Sequence, residues 1–293
     1  MNLAATHHAD LDPVVPGDVL VSVSLSPHGD LVALWSGPAG ADALRSRTHR
    51  HGGSFANSRT PHPVTVRITT HGALLLEVPA FELAFPTVHL MPGDTVLAVG
   101  ARARNPDRHN AIQYAADGSI VTTAGLGDAI EHVATTRAGD VWVGYFDEGA
   151  PAGLKRFGPD LRLAWTYDSV ILDCYALNVT DHAVWTCYYT DFPVVRIEDD
   201  RATAWRNPVT GVRALAVAGK RAGLFGGYDS PDRLVLGALY DGEFHPEGEY
   251  RLTLPDGSPL PREATVLGRG NELHVVTEVA WYRLDIAEPS FPR

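Results

Sequence analysis

The sequence contains few of the residues that mark several protein classes. Among its 293 residues are two cysteines, two methionines and two lysines. Two cysteines are too few for the disulfide framework of a small secreted domain. The segment before Val15 carries two histidines and two aspartates and has no apolar stretch, so it does not resemble a signal peptide. We therefore expect a cytoplasmic protein.

Long hydrophobic runs and an excess of positive charge are also missing. No window of the sequence approaches the ~18 consecutive apolar residues of a membrane span. The net charge of −11 argues against a nucleic-acid partner, because binding to phosphates needs clustered lysine and arginine. The composition therefore predicts neither a membrane nor a nucleic-acid partner. Hydrophobic residues make up 45% of the chain, enough to bury a sizeable core.

The common catalytic motifs are absent from the sequence. It has no Gly-x-Ser-x-Gly elbow, no glycine-rich phosphate loop and no cysteine or histidine pair at zinc-binding spacing. A flavin or nicotinamide fingerprint is missing as well. These absences disfavour serine hydrolase, nucleotide-dependent and zinc chemistry, and they predict that no organic cofactor is bound.

What the chain does contain is repeated pairs of short β-rich runs, separated by turns rich in Gly, Asp and Pro. The first turns of the repeats lie near residues 30, 94, 140, 181, 220 and 270. Most repeats therefore have the ~40–50 residues of a propeller blade. The paired runs are Val19–Leu25 with Leu31–Trp35, Thr87–Leu90 with Val96–Val99, Ile130–Thr135 with Val141–Tyr145, Leu172–Val179 with Ala183–Tyr189, Val212–Val217 with Ala222–Phe225, and Thr265–Leu267 with Leu273–Thr277.

These repeats predict an all-β fold, a single β-propeller domain over residues 1–293 with six four-stranded blades. The last repeat has only three clear strands, so we expect an N-terminal strand around Asp12–Val15 to close the ring. Seven blades are the alternative if the long first repeat hides another hairpin. Residues 37–63 have almost no strand character and predict a long loop insertion, either a lid or a disordered segment. No stretch carries a convincing helix signal.

The hairpins with Gly-Asp turns resemble the blades of six-bladed propellers, and so does the run Gly139-Asp140-Val141-Trp142-Val143-Gly144. That group includes NHL-repeat, TolB-like and regucalcin/gluconolactonase-like proteins. The resemblance covers nearly the whole chain and implies the fold. Gluconolactonase-like enzymes bind a divalent cation at the axis through one Glu, two Asn and one Asp. This chain has no clear pair of matching asparagines, so no ligand residue is carried over.

Charged residues recur at one position of successive repeats. Counting back from each first turn places Glu131, Asp173, Glu263 and Arg213 together at the start of the innermost strand. Three carboxylates near the propeller axis cost free energy unless something compensates their charge. A bound Ca²⁺ or Mg²⁺ would compensate it, and so would Arg213, or one carboxyl would keep its proton and act as an acid or base. The structural alternative is that Arg213 pairs with Asp173 or Glu263 only to close the channel.

Aromatic and acidic residues are expected at the same face of the propeller, where the second strands end. They suit a pocket that stacks a small organic ligand. Basic loop residues belong to this face too, and they either close on an anionic substrate or are solvated; they are His49, Arg50, His51, Arg102, Arg104 and His109. The predicted substrate-binding residues are Trp35, Tyr145, Asp147, Tyr175, Tyr188, Tyr228 and Asp229.

The two cysteines lie on either side of one predicted hairpin. Counting outward from its turn places Cys174 opposite Cys187, a spacing that allows a cross-strand disulfide. A cytoplasmic location favours two reduced, buried thiols instead.

The sequence favours an enzyme that acts on a small organic molecule by acid–base or divalent-cation-assisted chemistry, of the hydrolase, lyase, isomerase or cyclase type. In this hypothesis Glu131, Asp173 and Glu263 are catalytic groups or metal ligands, and Arg213 binds a substrate carboxylate or stabilises an oxyanion. The alternative is a non-catalytic binding module for a protein or carbohydrate.

Overall fold

The computed structural model describes residues 1–50, 52–103, 109–149 and 153–288. The chain divides into two compact units, which are described in turn. The N-terminal unit comprises residues 12–168, and the C-terminal unit comprises residues 169–293 together with residues 1–11. Within the described ranges, no helix has the length and apolar character needed to cross a membrane.

Two short strands open the chain and belong to the C-terminal unit. They are β1 (Asn2–Ala4) and β2 (Thr6–Asp10).

The N-terminal unit contains three four-stranded antiparallel sheets, with orders β3-β4-β7-β8, β9-β10-β11-β12 and β13-β14-β15-β16. Each sheet is built from strands that are consecutive in the chain, apart from the small β5-β6 hairpin inserted in the first. The strands are β3 (Val19–Leu25), β4 (Leu31–Ser36), β5 (Arg47–Arg50), β6 (Gly53–Ala56), β7 (Arg59–Thr70), β8 (Ala73–Leu83), β9 (Pro86–Met91), β10 (Thr95–Gly100), β11 (Ala111–Tyr114), β12 (Ile120–Ala124), β13 (Ile130–Thr135), β14 (Val141–Tyr145), β15 (Leu154–Phe157) and β16 (Leu163–Thr166).

The insertion at residues 37–63 has regular structure, which corrects the prediction of a loop without it. Helix α1 (Pro38–Leu44) comes first, followed by the β5-β6 hairpin and the start of β7. Pro38 occupies the first turn of the helix, where its fixed φ is favourable, and Ala41 and Leu44 are buried. Seven residues are too few for a helical period to be read from sequence, which is why the helix was missed.

The C-terminal unit contains the other three sheets. Their orders are β17-β18-β19-β20, β21-β22-β23-β24-β1 and β25-β26-β27-β2. The strands not yet given are β17 (Asp173–Val179), β18 (Val184–Tyr189), β19 (Val194–Glu198), β20 (Arg201–Trp205), β21 (Val212–Ala218), β22 (Arg221–Gly226), β23 (Arg233–Tyr240), β24 (Glu243–Thr253), β25 (Thr265–Arg269), β26 (Glu272–Val276) and β27 (Ala280–Asp285).

An N-terminal strand completes the last sheet, as predicted, but it lies at β2 and not at residues 12–15. Strand β2 pairs antiparallel with β27, and His7 and His8 make edge-on contacts with Tyr282 and Trp281. The predicted segment contains Pro13, whose missing N–H cannot contribute to a sheet ladder. Strand β1 was not expected; it adds in parallel to β24 as a fifth strand.

Both cysteines are buried and unbridged, as favoured above, but the predicted hairpin register is wrong. Cys174 lies opposite Tyr188, and Cys187 lies opposite Ala176. Val179 pairs with Val184, so the turn between β17 and β18 has four residues, 180–183. A bulge between Cys174 and Ala176 then shifts the pairing again. Counting outward in steps of one residue pair cannot detect a bulge.

The described residues thus form six sheets with at least four strands each, arranged as a β-propeller. This confirms six blades and excludes the seven-bladed alternative. Four clusters of buried hydrophobic side chains fill the cores, two in each unit. The innermost strand of each sheet is the first in chain order, so the residues at its start define a position that can be compared from blade to blade.

Candidate functional site

A β-bulge interrupts four of the innermost strands at the same place. In each, the pairing with the second strand shifts by one residue near the start of the first strand. A bulge re-aims one side chain out of the regular alternation of a strand. The bulged residues are Val21, Glu131, Tyr175 and Arg213.

The predicted alignment of charges is therefore right for two residues and wrong for two. Glu131 and Arg213 occupy the bulge, but in the fourth blade the equivalent residue is Tyr175, not Asp173. Asp173 lies two residues earlier and pairs with Tyr189. Glu263 precedes β25, which begins only at Thr265. The error arose because the turns between first and second strands differ in length.

The charges do not compensate one another as the structural alternative required. Arg213 is exposed and makes no ion pair or hydrogen bond with a described residue, so it pairs with neither Asp173 nor Glu263. Glu131 belongs to the N-terminal unit, and the charged ring as a whole stays a prediction. Within the described part of the chain, no three His, Cys, Asp or Glu side chains are grouped to hold a metal ion. Binding of Ca²⁺ or Mg²⁺ likewise stays a prediction.

Two of the aromatic residues predicted to bind substrate are core residues. The side chains of Trp35 and Tyr145 are only 3% and 1% exposed. Trp35 donates a hydrogen bond from Nε1 to Thr69 Oγ1 at 2.9 Å, and the Tyr145 hydroxyl donates to the carbonyl of Leu126. Both lie on second strands, whose two faces pack against neighbouring sheets, and the polar tips are satisfied internally. Their assignment to a pocket was wrong.

One of the predicted basic residues of the N-terminal unit, Arg102, is neutralised within the fold. Arg102 is buried, contacts Asp128 at 3.1 Å, pairs with Glu148 and lies 5.2 Å over the ring of Phe146. It is therefore a structural group and does not belong to a free anion-binding loop. Asp147, beside this network, is exposed and opens a short 3₁₀ turn. Two further predicted residues of the basic face, His51 and Arg104, lie outside the described residues.

The C-terminal unit, in contrast, carries a cluster of tyrosines at its surface, which we call the tyrosine platform. Its members are Tyr175, Tyr189, Phe192 and Tyr228. The Tyr175 ring lies 5.3 Å from Phe192, 6.3 Å from Tyr228 and 6.5 Å from Tyr189, the last nearly parallel. Tyr228 is 56% exposed and Tyr189 is 38% exposed, whereas Phe192 is buried beneath them.

Local backbone contacts fix the loops that carry the platform. Gly211 has a φ of +72°, and a Cβ there would approach the backbone nitrogen of Tyr228 to 2.8 Å, so only glycine fits. The carbonyl of Phe192 accepts hydrogen bonds from Cys187 Sγ at 3.3 Å and from Asn207 Nδ2 at 2.9 Å. The platform is thus held in place by the sheet edges behind it.

The platform combines tyrosine hydroxyls with unpaired negative charge. The Tyr228 hydroxyl donates to the Tyr175 hydroxyl at 3.2 Å, and this bond, together with burial, raises the pKa of Tyr175 to about 12. Asp191 and Asp229, which follow Tyr189 and Tyr228 closely in the chain, are exposed. Neither forms an ion pair or hydrogen bond with any residue that the structure describes.

Sequence reasoning identified Tyr175, Tyr228 and Asp229 but missed two members of the platform. It chose Tyr188, which is half-buried, over its neighbour Tyr189. Successive side chains of a strand face opposite sides, so a choice one residue away on β18 selects the less exposed of the two tyrosines. Phe192 gave no signal, because it lies in a loop with a left-handed φ of 50°.

Comparisons with known proteins agree with the fold. Over 96% of its length this chain matches 94% of the Pan2 WD40 domain of Neurospora crassa, with 9% identity and a TM-score of 0.53. Over 94% of its length it matches 97% of a catalytically inactive virginiamycin B lyase from Staphylococcus aureus, solved with quinupristin, with 12% identity and a TM-score of 0.50. Over 92% of its length it matches 77% of Hsv2 from Kluyveromyces marxianus, with 10% identity and a TM-score of 0.51. Likenesses at this level of identity define the class, a β-propeller, and not the activity.

Sequence comparison adds one partial match. A family model described as the YxzG family matches residues 158–225, which run from the end of the third blade into β22. No curated protein matches the chain. The predicted resemblance to the NHL and regucalcin group is therefore confirmed only for the six-bladed fold.

Proposed function

We propose that this protein is a non-catalytic binding module, and that its tyrosine platform binds an arginine- or lysine-bearing segment of a partner protein. The observation that carries the proposal is the exposed aromatic surface of Tyr189 and Tyr228, accompanied by carboxylates that have no partner among the described residues. Neighbours of similar fold include a WD40 domain and a chain of the mitotic checkpoint complex, which supports a binding role.

Charge favours a cationic ligand over a neutral or acidic one. The faces of tyrosine rings carry partial negative charge, and a guanidinium or ammonium group placed over them is stabilised by about 0.5–2 kcal/mol. Asp191 and Asp229 add full charges beside the rings, on a chain with a net charge of −11. Such a surface attracts cations over distances up to the Debye length and repels acidic partners.

The packing of the platform residues against one another favours binding without rearrangement of their side chains. Phe192 and the hydrogen-bonded pair of Tyr175 and Tyr228 fix the position of the rings before a ligand arrives. A preorganised surface loses little side-chain entropy on binding. Catalytic roles for Glu131, Asp173, Arg213 and Glu263 stay predictions, because they rest on the alignment that two of the four residues do not follow.

The test is isothermal titration calorimetry with a peptide of alternating arginine and glycine. We expect Tyr228→Ala and Tyr189→Ala each to weaken binding about tenfold, as loss of a cation–ring contact predicts. The double variant Asp191→Asn, Asp229→Asn should also weaken peptide binding, and the loss of affinity should be larger at low salt than at high salt. The matched control is Tyr240→Ala, which removes a 44% exposed tyrosine on β23 of the same unit and should leave binding unchanged.

Two competing ligands are titrated in parallel, a glutamate–glycine peptide and a maltohexaose. Binding of the arginine peptide alone, sensitive to Tyr228, supports the proposal. Binding of the oligosaccharide that is lost in Tyr228→Ala, without binding of the arginine peptide, would overturn it in favour of a carbohydrate-binding platform. Failure of all three ligands to bind, or equal effects of Tyr228→Ala and Tyr240→Ala, would also overturn it.

A further inference from the structure

A cavity of about 670 Å³ lies between the fifth and sixth sheets, entirely within the C-terminal unit. Its volume falls within the ~300–1,000 Å³ range of small-molecule sites. The start of β21, the loop between β22 and β23, and the segment before β25 contribute its walls. It shares no residue with the tyrosine platform, although Tyr228 and the wall residues Pro231 and Asp232 belong to the same loop.

Part of the cavity lining is apolar and belongs to the hydrophobic core of the C-terminal unit. Phe225 is buried in the hydrophobic cluster between these two sheets, and Leu260 and Val266 pack against the same cluster. An apolar surface of this kind gains free energy when a hydrophobic ligand group displaces water from it.

The outer wall of the cavity is rigid. The segment before β25 contains Pro259 and Pro261, whose φ angles are fixed. The turn that leads into it is closed by a hydrogen bond from Leu254 N to Ser258 O at 2.9 Å, and Ala264 N donates to Pro261 O at 3.0 Å. The cavity therefore exists before a ligand binds, which lowers the entropic cost of binding.

The charges that line the cavity do not cancel. Three arginines and one aspartate face it, and the aspartate, Asp232, pairs with Arg251. Arg213 and Arg262 make no ion pair or hydrogen bond with any described residue. Both side chains are exposed, so their guanidinium groups are open to a ligand that enters the cavity.

Guanidinium groups select oxyanions because their planar N–H donors match two oxygens at once. A ligand that fits this cavity must present an acidic group to Arg213 and Arg262 and an apolar body to Phe225, Leu260 and Val266. We propose that the cavity is a binding site for a small organic anion with a hydrophobic body, whose carboxylate or phosphate group is held by Arg213 and Arg262. This site is additional to the protein-binding platform proposed above.

The experiment is isothermal titration calorimetry of the full chain with four probes, which are phenylacetate, phenyl phosphate, inorganic phosphate and benzyl alcohol. We expect both aromatic anions to bind and the better of the two to identify the acidic group. Inorganic phosphate lacks the hydrophobic body and benzyl alcohol lacks the acidic group, so each should bind at least about tenfold more weakly.

Three variants localise the binding. Arg213→Met and Arg262→Met keep an unbranched apolar stem and remove the guanidinium group, and each should weaken binding of the aromatic anions about tenfold. The matched control is Arg201→Met, on the outer strand β20 of the same unit, where an exposed arginine also has no described partner. Circular dichroism melting curves check that each variant is folded.

Unchanged affinity in both Arg213→Met and Arg262→Met would overturn the proposal. Equal binding of phenylacetate and benzyl alcohol would overturn the role of the anion, and equal binding of phenyl phosphate and inorganic phosphate would overturn the role of the hydrophobic body. Tyr189→Ala distinguishes this site from the platform. Tyr189 ends strand β18 and does not line the cavity, so this variant should weaken peptide binding about tenfold and leave the affinity for the aromatic anions unchanged.

Discussion

The two units of the propeller use equivalent positions in opposite ways. On the second strands, the N-terminal unit places Trp35 and Tyr145 in the core, where the matching positions of the C-terminal unit hold half-buried Tyr188 and Gly226. At the bulge, the N-terminal unit has Val21 and Glu131, whereas the C-terminal unit has Tyr175 and Arg213.

Two arginines of each unit differ in a related way. In the N-terminal unit Arg67 pairs with Asp18 and Glu77, and Arg102 pairs with Asp128 and Glu148. In the C-terminal unit Arg213 and Arg262 have no such partners among the described residues. Groups that satisfy one another stabilise a fold, and groups left unsatisfied at a concave or exposed surface are available for a ligand. Other arginines of the C-terminal unit are paired, for example Arg283 with Glu272, so the difference concerns these four side chains and supports the ligand site proposed at Arg213 and Arg262.

Truncation of a matched pair of tyrosines should give the largest contrast between the units. Tyr145→Ala removes a buried ring and its hydrogen bond to Leu126, and we expect it to lower the free energy of unfolding by about 3–5 kcal/mol. Tyr228→Ala removes an exposed ring and should change it by less than about 0.5 kcal/mol. Urea denaturation followed by circular dichroism measures both. Similar losses in the two variants would break the comparison, because they would make the platform tyrosine a structural residue.

A pair of arginine variants gives a smaller contrast. Arg102→Met leaves Asp128 with only part of its hydrogen bonding, the remaining donor being Ala103 N at 2.7 Å. Loss of a charged hydrogen bond at this partly exposed site should cost about 1.5–3 kcal/mol. Arg213→Met breaks no ion pair or hydrogen bond with a described residue and should be neutral in the same denaturation experiment. A destabilising Arg213→Met would mean that Arg213 has a structural partner after all.

Acid pH should affect both units to a similar and more modest degree. Burial lowers the pKa of His89, in the N-terminal unit, and of His274, in the C-terminal unit, to about 3. In the unfolded chain the pKa of histidine is about 6.5, so below that pH the unfolded state binds more protons and stability falls. Each histidine should cost about 1.4 kcal/mol per pH unit between pH 6 and 4.

The measurement for this prediction is the free energy of unfolding as a function of pH. His89→Asn should reduce the slope by about one proton. His28→Asn is the control, because the His28 side chain is exposed and forms no ion pair with a described residue. A slope that is the same in all three proteins would show that His89 titrates normally in the folded state.

Much of the fold was predictable from sequence because turns are local. The Gly- and Asp-rich turns define most of the hairpins, and the predicted strand Val19–Leu25 has the observed bounds of β3. The site was harder to predict, because it depends on bulges and turn lengths. One extra residue in β17 places Tyr175 at the position that Glu131 and Arg213 occupy in their own blades. The partners of Arg102 and the absence of described partners for Arg213 are tertiary facts, which no residue pattern contains.

The two strands that open the chain have a consequence for how the protein folds. Asn2 pairs with Arg251 and Thr6 with Arg283, so both strands find their partners far along the chain. Contacts between residues so distant in sequence slow folding, since the entropy of closing a long loop is lost before any pairing is gained. Until then β24 and β27 expose unpaired edges that are prone to aggregate. We expect the assembly of these two blades to set the overall folding rate.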